Sequence, residues 1–151
     1  MSIWWSLRLR REAASVPLAR RLLLGAMETA GVDPDISFDL SVALSEACAN
    51  AVEHGGGGQL GEAPGAYRVT AYLDGAKCRI EVADSGPGFP ARRMVRRSAP
   101  APAVTSENGR GLCLIEQLAD HVYFRNRPGR GAVVGFDKIL KWREDALLGA
   151  M

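Results

Sequence analysis

The 151-residue sequence predicts an α/β fold in a single domain. Strand-like and helical segments follow one another along the chain, and the pair Asp74-Gly75 between two strand-like segments indicates a β-hairpin. A hydrophobic fraction of 47% and a charged fraction of 24% are typical of a globular chain with one core. Because this length leaves no room for a second full domain, we expect residues 1–151 to form one domain.

The N-terminal part predicts a strand and two helices: Ile3 to Arg10, Val16 to Ala30 and Phe38 to His54. The strand prediction depends on alternating side chains, and the first helix is expected to end at Gly31. The stretch GVDPDIS is predicted to be a short loop, after which Ser37 or Asp39 would cap the second helix. Glycines 55–58 suit the exit from that helix.

The C-terminal part begins with two predicted strands, Tyr67 to Leu73 and Lys77 to Ala83, followed by a long loop from Pro90 to Asn108. A helix is then predicted over Gly111 to Ala119, and two more strands over His121 to Asn126 and Ala132 to Asp137. The tail is Lys138 to Met151. The first two strands should pair antiparallel across their DGA turn. The long loop is rich in Pro, Ala, Ser and Arg, and so long a loop in a compact domain is a lid, a binding loop or disorder. The tail is expected to form a short helix or to fray.

The charge pattern gives little indication of a nucleic-acid partner. The formal net charge of +2 is small and evenly spread. The segment ARRMVRR (91–97) and the cluster Arg8, Arg10 and Arg11 are locally basic, but each could equally be a solvated face. We therefore expect no nucleic-acid binding.

The cysteines and the N-terminus indicate a cytoplasmic protein. Cys48, Cys78 and Cys113 are odd in number and widely spaced, so neither a disulfide framework nor a CxxC metal site is predicted. The N-terminal segment lacks the apolar core of a signal peptide, and no run approaches about 18 apolar residues. We expect no membrane association.

Glu46, Asn50 and His54 follow one another at one-turn spacing in the second predicted helix. At about 100° per residue, their stripe is centred roughly 80° from an apolar stripe on the same helix. That apolar stripe consists of Leu40, Leu44, Ala47 and Ala51. A solvated stripe at this spacing more often pairs opposite charges. The polar stripe therefore predicts a site at the edge of the core, although the three residues could also be ordinary surface positions, with His54 favoured by the helix dipole.

A second candidate site is VADSGPGF, residues 82–89, at the end of a predicted strand. Asp84 would lie at the strand end, and Gly86 and Gly88 would let the backbone approach a flat ligand. Asp-x-Gly is also a common turn. The stretch GPGFPA fits the G-x-G-x-x-A dinucleotide pattern, but prolines and the long loop follow where that motif requires a helix.

A third candidate site is ENGRGLCLIEQLA, residues 107–119, where Gly109 and Gly111 flank Arg110 at the start of a helix. Backbone amides at a helix start can bind phosphate oxygens, although the same stretch could start a helix without any ligand. The sequence contains no G-x-x-x-x-G-K-[ST], so a Walker P-loop is excluded.

In their order and spacing, the three segments resemble the N, G1 and G2 boxes of the Bergerat-fold ATPases, the superfamily of gyrase, Hsp90, histidine kinases and MutL. The resemblance covers roughly residues 35–137. It implies an α+β two-layer sandwich, with a mixed, mostly antiparallel sheet covered on one face by helices and a long ATP lid over about 90–108. Within the superfamily, SEACANAVEHG most resembles stand-alone serine-protein kinases that act as anti-sigma factors, the SpoIIAB and RsbW type.

The resemblance implies roles for individual residues. Glu46 would be the general base, Asn50 would bind Mg²⁺ through its amide oxygen, and Asp84 would accept a hydrogen bond from the adenine amino group of ATP. The remaining implied nucleotide-binding residues are Gly86, Gly88, Gly109, Arg110, Gly111 and Leu112. Arg20, on the first helix, would contact partners.

The implied function is ATP-dependent phosphorylation of a serine or threonine on a STAS-domain anti-anti-sigma partner, with sequestration of a sigma factor when that partner is unavailable. The resemblance also implies a homodimer. One alternative is a nucleotide-regulated binding module without kinase activity, and another is an ATPase without a protein substrate. The sequence departs from the family at Gly131-Ala132, where relatives commonly have Gly-Thr. A lost hydroxyl hydrogen bond would weaken nucleotide binding about two- to tenfold.

Overall fold

The computed structural model describes residues 2–54, 65–84, 107–127 and 131–144. Within these ranges the chain forms β1 (Ile3–Arg10), α1 (Ser15–Ala30), α2 (Pro34–His54), β2 (Ala66–Leu73), β3 (Lys77–Asp84), α3 (Glu107–Leu118), β4 (His121–Arg127) and β5 (Gly131–Ile139). The predicted order of strands and helices is confirmed.

The five strands form one sheet in the order β1-β2-β3-β5-β4. All four pairings are antiparallel, and β2 and β3 form the predicted hairpin across Asp74 and Gly75. The α+β sandwich is thus confirmed, while the prediction of a mixed sheet is wrong for the described strands. The reason is that the β4–β5 hairpin joins the sheet through β5, which returns antiparallel to β3.

The helices cover one face of the sheet, and α2 packs against α1, α3 and β3. The predicted apolar stripe of α2 is confirmed, because its members are at most 1% exposed: Leu40, Leu44, Ala47 and Ala51. Alanine side chains let the helix lie close to the sheet. The sheet contributes alternate residues to this core, including Val69, Ile80, Val82 and Phe136, as strand geometry requires.

The start of α2 differs from the prediction. The helix begins at Pro34, four residues before the predicted Phe38. The backbone N–H of Asp35 donates to Oδ1 of Asp33 at 2.8 Å, so Asp33 is the N-cap and Pro34 occupies the first helical position. The stretch predicted as a loop is therefore a capped helix start, and neither Ser37 nor Asp39 is the cap.

The third helix also starts earlier than predicted, at Glu107 instead of Gly111. The predicted start came from the apolar side-chain pattern, which begins only after Gly111. The start of a helix is defined by backbone hydrogen bonds, and these include the residues before Gly111. Of the predicted lid, Glu107 and Asn108 belong to α3, and residues 90–106 lie outside the described ranges.

The C-terminal tail is not a helix over its described part. β5 continues to Ile139, and Trp142 forms a β-bridge with Val32. The indole N–H of Trp142 donates to the carbonyl oxygen of Gly75 at 3.0 Å. These contacts attach the tail to the α1–α2 turn and to the β2–β3 hairpin, which favours extended backbone over a helix.

The basic cluster near the N-terminus divides into two kinds of residue. Arg8 and Arg10 are exposed on β1. Arg11 is partly buried, and its Nε donates to the carbonyl oxygen of Val52 at 2.9 Å. Arg11 therefore has a structural contact, and the second basic segment, 91–97, lies outside the described residues.

Within the described ranges, no helix is long and apolar enough to cross a membrane.

Candidate active site

The first part of the site is the polar stripe of α2. Glu46 and Asn50 are half-buried, one turn apart, and border the fully buried stripe, as predicted. Neither side chain makes a hydrogen bond or an ion pair within the described part of the chain. A carboxylate and an amide oxygen are therefore available to a ligand at the edge of the core. α2 extends to His54, as predicted, but the described side chains do not include that of His54.

The second part is the end of β3, where Asp84 is the last strand residue. Asp84 is 6% exposed and lies on the helix-covered face, in line with Val82. A carboxylate this deeply buried is costly unless hydrogen-bond donors surround it. α2 packs against the same strand, so the helix of Glu46 and Asn50 lies over the strand that ends in Asp84.

The neighbouring strands complete a row of residues at this end of the sheet. Val133 of β5 pairs with Ala83 of β3, which places Ala132 beside Asp84 at the next position. Asn126 of β4 pairs with Ala132 on the other side. Both Ala132 and Asp84 are buried, so a small apolar side chain lies next to the Asp84 carboxylate on the sheet.

Several predicted site residues are described only in part or not at all. Gly86 and Gly88 lie outside the described residues. The other predicted phosphate-site residues, Gly109, Arg110, Gly111 and Leu112, lie in the first turns of α3, where only the backbone is described. α3 packs directly against α2, the helix that carries Glu46 and Asn50.

Arg20 does not join this group. It is exposed in the second turn of α1, and α1 packs against α2 as α3 does, without a substantial contact between α1 and α3. Arg20 thus lies on a different helix from Glu46 and Asn50, and its role in partner contact stays a prediction.

Tyr67 is a neighbour of the site that was not predicted. It is 1% exposed, and it is the cross-strand partner of Asp84. Its hydroxyl oxygen lies 2.6 Å from Oγ of Ser15. The alternation in AYRVTAYL places Tyr67 on the face of Val69, so the pattern could have identified a tyrosine buried at the end of the strand.

The described residues fit a magnesium nucleotide. Asn50 offers a hard amide oxygen of the kind that Mg²⁺ accepts, and Glu46 offers a carboxylate one turn away. Asp84 offers a buried acceptor at the strand end, suited to an amino group on a flat base. The amides at the start of α3 suit phosphate oxygens. This fold and this set of groups define an ATP-binding domain.

Comparison with known proteins agrees with this description. Residues 9–137 match the histidine kinase-like ATPase domain family. The chain is 34% identical over 119 residues to the serine-protein kinase RsbW of Bacillus licheniformis, covering 76% of this chain and 73% of that protein. It is 29% identical over 128 residues to the serine-protein kinase RsbW of Bacillus cereus, covering 82% and 78%. The chain belongs to the histidine kinase-like ATPase family, and within it to the serine-protein kinases.

Solved structures share the fold at lower identity. A crystal structure of the RsbU and RsbW domains of a Mycobacterium tuberculosis protein has a TM-score of 0.66 at 20% identity, covering 92% of this chain and 33% of that chain. A mycobacterial sensor histidine kinase, MprB, has a TM-score of 0.51 at 18% identity, covering 91% and 100%. Both establish the fold alone.

Proposed function

We propose that this protein is an anti-sigma factor that phosphorylates a serine or threonine of a STAS-domain anti-anti-sigma partner and sequesters a sigma factor when that partner is unavailable. The observation that carries the proposal is the pair Glu46 and Asn50, half-buried on α2 above the strand that ends in Asp84. The serine-protein kinases to which the chain is related support it.

Each of the three residues has a separate task. Glu46 accepts the proton of the attacking hydroxyl group, for which a partly solvated carboxylate is suited. Asn50 holds Mg²⁺ through its amide oxygen. Asp84 orients the adenine by accepting a hydrogen bond from its amino group, which favours ATP over GTP because guanine has an acceptor at that position. Bound Mg·ATP supplies the phosphoryl group and the cation that offsets its charge.

Positioning and charge neutralisation dominate phosphoryl transfer, so a rigid helix is a suitable support for two of these residues. The buried stripe of α2 fixes the helix against the sheet, and Glu46 and Asn50 project from the border of that stripe. Side chains held at fixed positions keep the reacting groups near their productive geometry. This orientation alone lowers the activation barrier of phosphoryl transfer.

The partner-binding part of the proposal assigns Arg20 to contact with the STAS partner and the sigma factor. Arg20 is exposed on α1, so a partner can reach its guanidinium group. We also propose that the protein acts as a homodimer in the cytoplasm. Sedimentation of the purified chain tests the dimer, and Arg20→Glu should weaken partner capture while leaving ATP affinity unchanged.

Labelled ATP and candidate STAS partners test the kinase directly. Glu46→Ala should abolish transfer of label to the partner while Mg·ATP still binds. A matched control is Asp35→Asn, which removes an exposed carboxylate from the first turn of the same helix and should leave transfer intact.

The same assay distinguishes the alternatives. A partner that binds only with ATP but never receives label would identify a binding module without kinase activity. Release of phosphate without label on any partner would identify an ATPase. Failure of the wild-type protein to bind Mg·ATP would exclude all three functions.

A further inference from the structure

The side chain of Arg11 contacts the C-terminal end of α2. Its Nε donates to the carbonyl oxygen of Val52 at 2.9 Å. Because α2 ends at His54, the carbonyl group of Val52 is one of the last four of the helix, which have no N–H partner within it. The next four residues in the sequence, 55–58, are glycines, which carry no side chain that could donate a hydrogen bond. Arg11, 41 residues away in the chain, supplies the donor.

The backbone of Arg11 is itself attached to the sheet. Arg10, the last residue of β1, pairs with Ala66 at the start of β2. One position further, the backbone N–H of Arg11 donates to the carbonyl oxygen of Gly65 at 2.6 Å. β3 runs antiparallel to β2, so it ends at this same end of the sheet, at Asp84. Arg11 therefore joins the last turn of α2 to the end of the sheet at which Asp84 lies.

The charge of Arg11 suits its position. The aligned peptide dipoles give the C-terminal end of a helix a partial negative charge, which a guanidinium group offsets. Arg11 is also partly buried, so water competes less for its hydrogen bond than at an exposed site. The neighbouring Arg10, by contrast, is exposed and forms an ion pair with Glu12 at 3.9 Å. These two adjacent arginines thus have different contacts.

Asn50 belongs to the part of α2 that this contact holds. In an α-helix the carbonyl group of Asn50 accepts from the N–H of His54, the last residue, so fraying of the last turn would break this bond. Mg²⁺ requires a nearly ideal octahedral arrangement of its oxygen ligands, so it tolerates little displacement of a ligand. Glu46 lies one turn earlier and depends less on the last turn.

We propose that Arg11 is a positioning residue of the active site, whose hydrogen bond to Val52 holds the last turn of α2 and so keeps the amide oxygen of Asn50 in place for Mg²⁺. This role of Arg11 rests on the proposed role of Asn50 as a ligand of Mg²⁺. Apolar contacts hold α2 against the sheet but are not directional, whereas a hydrogen bond specifies both a distance and an angle. The contact of Arg11 therefore restricts the last turn more narrowly than packing does.

ATP binding at increasing Mg²⁺ concentrations tests this role, by titration calorimetry at a temperature where circular dichroism shows each variant folded. Arg11→Met keeps an unbranched side chain and removes every donor. It should raise the Mg²⁺ concentration for half-maximal ATP binding about three- to tenfold, the effect of one lost hydrogen bond. The Kd of ATP without Mg²⁺ should stay within about twofold of the wild-type value, because the contact acts through the ligand of the metal.

Arg11→Gln is the rescue variant. The amide nitrogen of glutamine lies the same number of bonds from the α-carbon as Nε of arginine, so this variant keeps a donor without the charge. The half-maximal Mg²⁺ concentration should return to within about twofold of the wild-type value. Arg10→Met is the matched control, because it removes an adjacent arginine whose exposed ion pair contributes little. It should leave the Mg²⁺ dependence unchanged.

Four results would overturn the role of Arg11. They are an unchanged Mg²⁺ dependence in Arg11→Met, a rise in Arg11→Gln as large as that in Arg11→Met, an equal rise in Arg10→Met, and an equal loss of ATP affinity with and without Mg²⁺.

Amide hydrogen exchange in the wild-type protein tests the contact without any variant. The N–H groups of residues 51–54 should exchange no more than about tenfold faster than those of residues 43–47, in the middle of the same helix. Exchange at the rate of an unstructured peptide would show that the last turn frays despite Arg11, and would overturn the proposal.

The outcome separates this proposal from the proposed function. A wild-type protein that binds Mg·ATP but transfers no phosphoryl group would refute the kinase and leave the role of Arg11 to be decided by the Mg²⁺ dependence of binding. A wild-type protein whose ATP affinity does not depend on Mg²⁺ would overturn the role of Arg11 alone. Failure of the wild-type protein to bind ATP at any Mg²⁺ concentration would overturn both.

Discussion

The ring of Tyr123, on β4, lies directly over Gly135, on β5, and its hydroxyl group donates a hydrogen bond to Glu81, on β3. The three residues form one cross-strand row, because Tyr123 pairs with Gly135 and Gly135 pairs with Glu81. A β-carbon at position 135 would overlap the end of the Tyr123 ring. Glycine at this position therefore lets a side chain of the edge strand reach across β5 to the centre of the sheet.

Gly135→Ala should destabilise the protein by about 1 to 3 kcal/mol, because the methyl group must push the Tyr123 ring away from Glu81. Urea unfolding measures the change. In a Tyr123→Ala background the same substitution should cost little or be favourable, since alanine suits a strand better than glycine does. Equal costs in both backgrounds would show that the ring contact is not the cause.

Ser37→Ala should stabilise the protein by about 1 kcal/mol. The Ser37 hydroxyl is buried near the start of α2 and has no hydrogen-bond partner within the described part of the chain, so its removal relieves a desolvation cost. Ser41, one turn later, is the matched control, because its Oγ donates to the carbonyl oxygen of Phe38 at 2.7 Å. Ser41→Ala should destabilise or be neutral in the same thermal unfolding experiment, and a stabilisation equal to that of Ser37→Ala would contradict the explanation.

Local patterns predicted the elements of this fold well. β1 was predicted over the residues that form it, because alternation is a property of neighbouring residues. The border position of Glu46 and Asn50 was also predicted, since helical angles fix it relative to the apolar stripe. The start of α2 was missed because Asp33-Pro34-Asp35 has the composition of a turn as well as that of a helix cap.

The contacts that join elements could not be predicted in this way. Tyr67 and Ser15 are 52 residues apart in the chain, and no local pattern relates them. Their contact depends on how α1 packs over β2, which is decided by the tertiary fold. The resemblance implied a mixed, mostly antiparallel sheet, whereas all four pairings of the described strands are antiparallel, because the direction in which distant strands pair is decided by the tertiary fold.

Stability should fall steeply between about pH 9 and pH 12. Burial is the main cause that raises the pKa of Cys48 and of Cys78, each from 9.0 to about 12. Above pH 9 a thiol ionises in the unfolded chain but keeps its proton in the folded protein. Ionisation lowers the free energy of the unfolded state, so the free energy of unfolding falls. The stabilisation is therefore complete below pH 9 and is lost as the pH rises towards 12, at about 1.4 kcal/mol per pH unit for each thiol.

Urea unfolding across this pH range tests the assignment. Cys78→Ala should remove one thiol and make the fall in stability less steep by about 1.4 kcal/mol per pH unit. An unchanged slope would mean that the Cys78 thiol ionises as readily in the folded protein as in the unfolded chain.

Ala132→Thr should tighten ATP binding about two- to tenfold. Ala132 is buried beside Asp84, so a threonine hydroxyl there would lie next to the carboxylate proposed to hold the adenine. Ala132→Val is the control, because valine has the shape of threonine without the hydroxyl group and reports any cost of the larger side chain. Titration calorimetry should give Thr the lower Kd of the two variants. Equal Kd values would mean that a hydroxyl at this position makes no hydrogen bond to the nucleotide, and the family difference at residue 132 would then have no bearing on affinity.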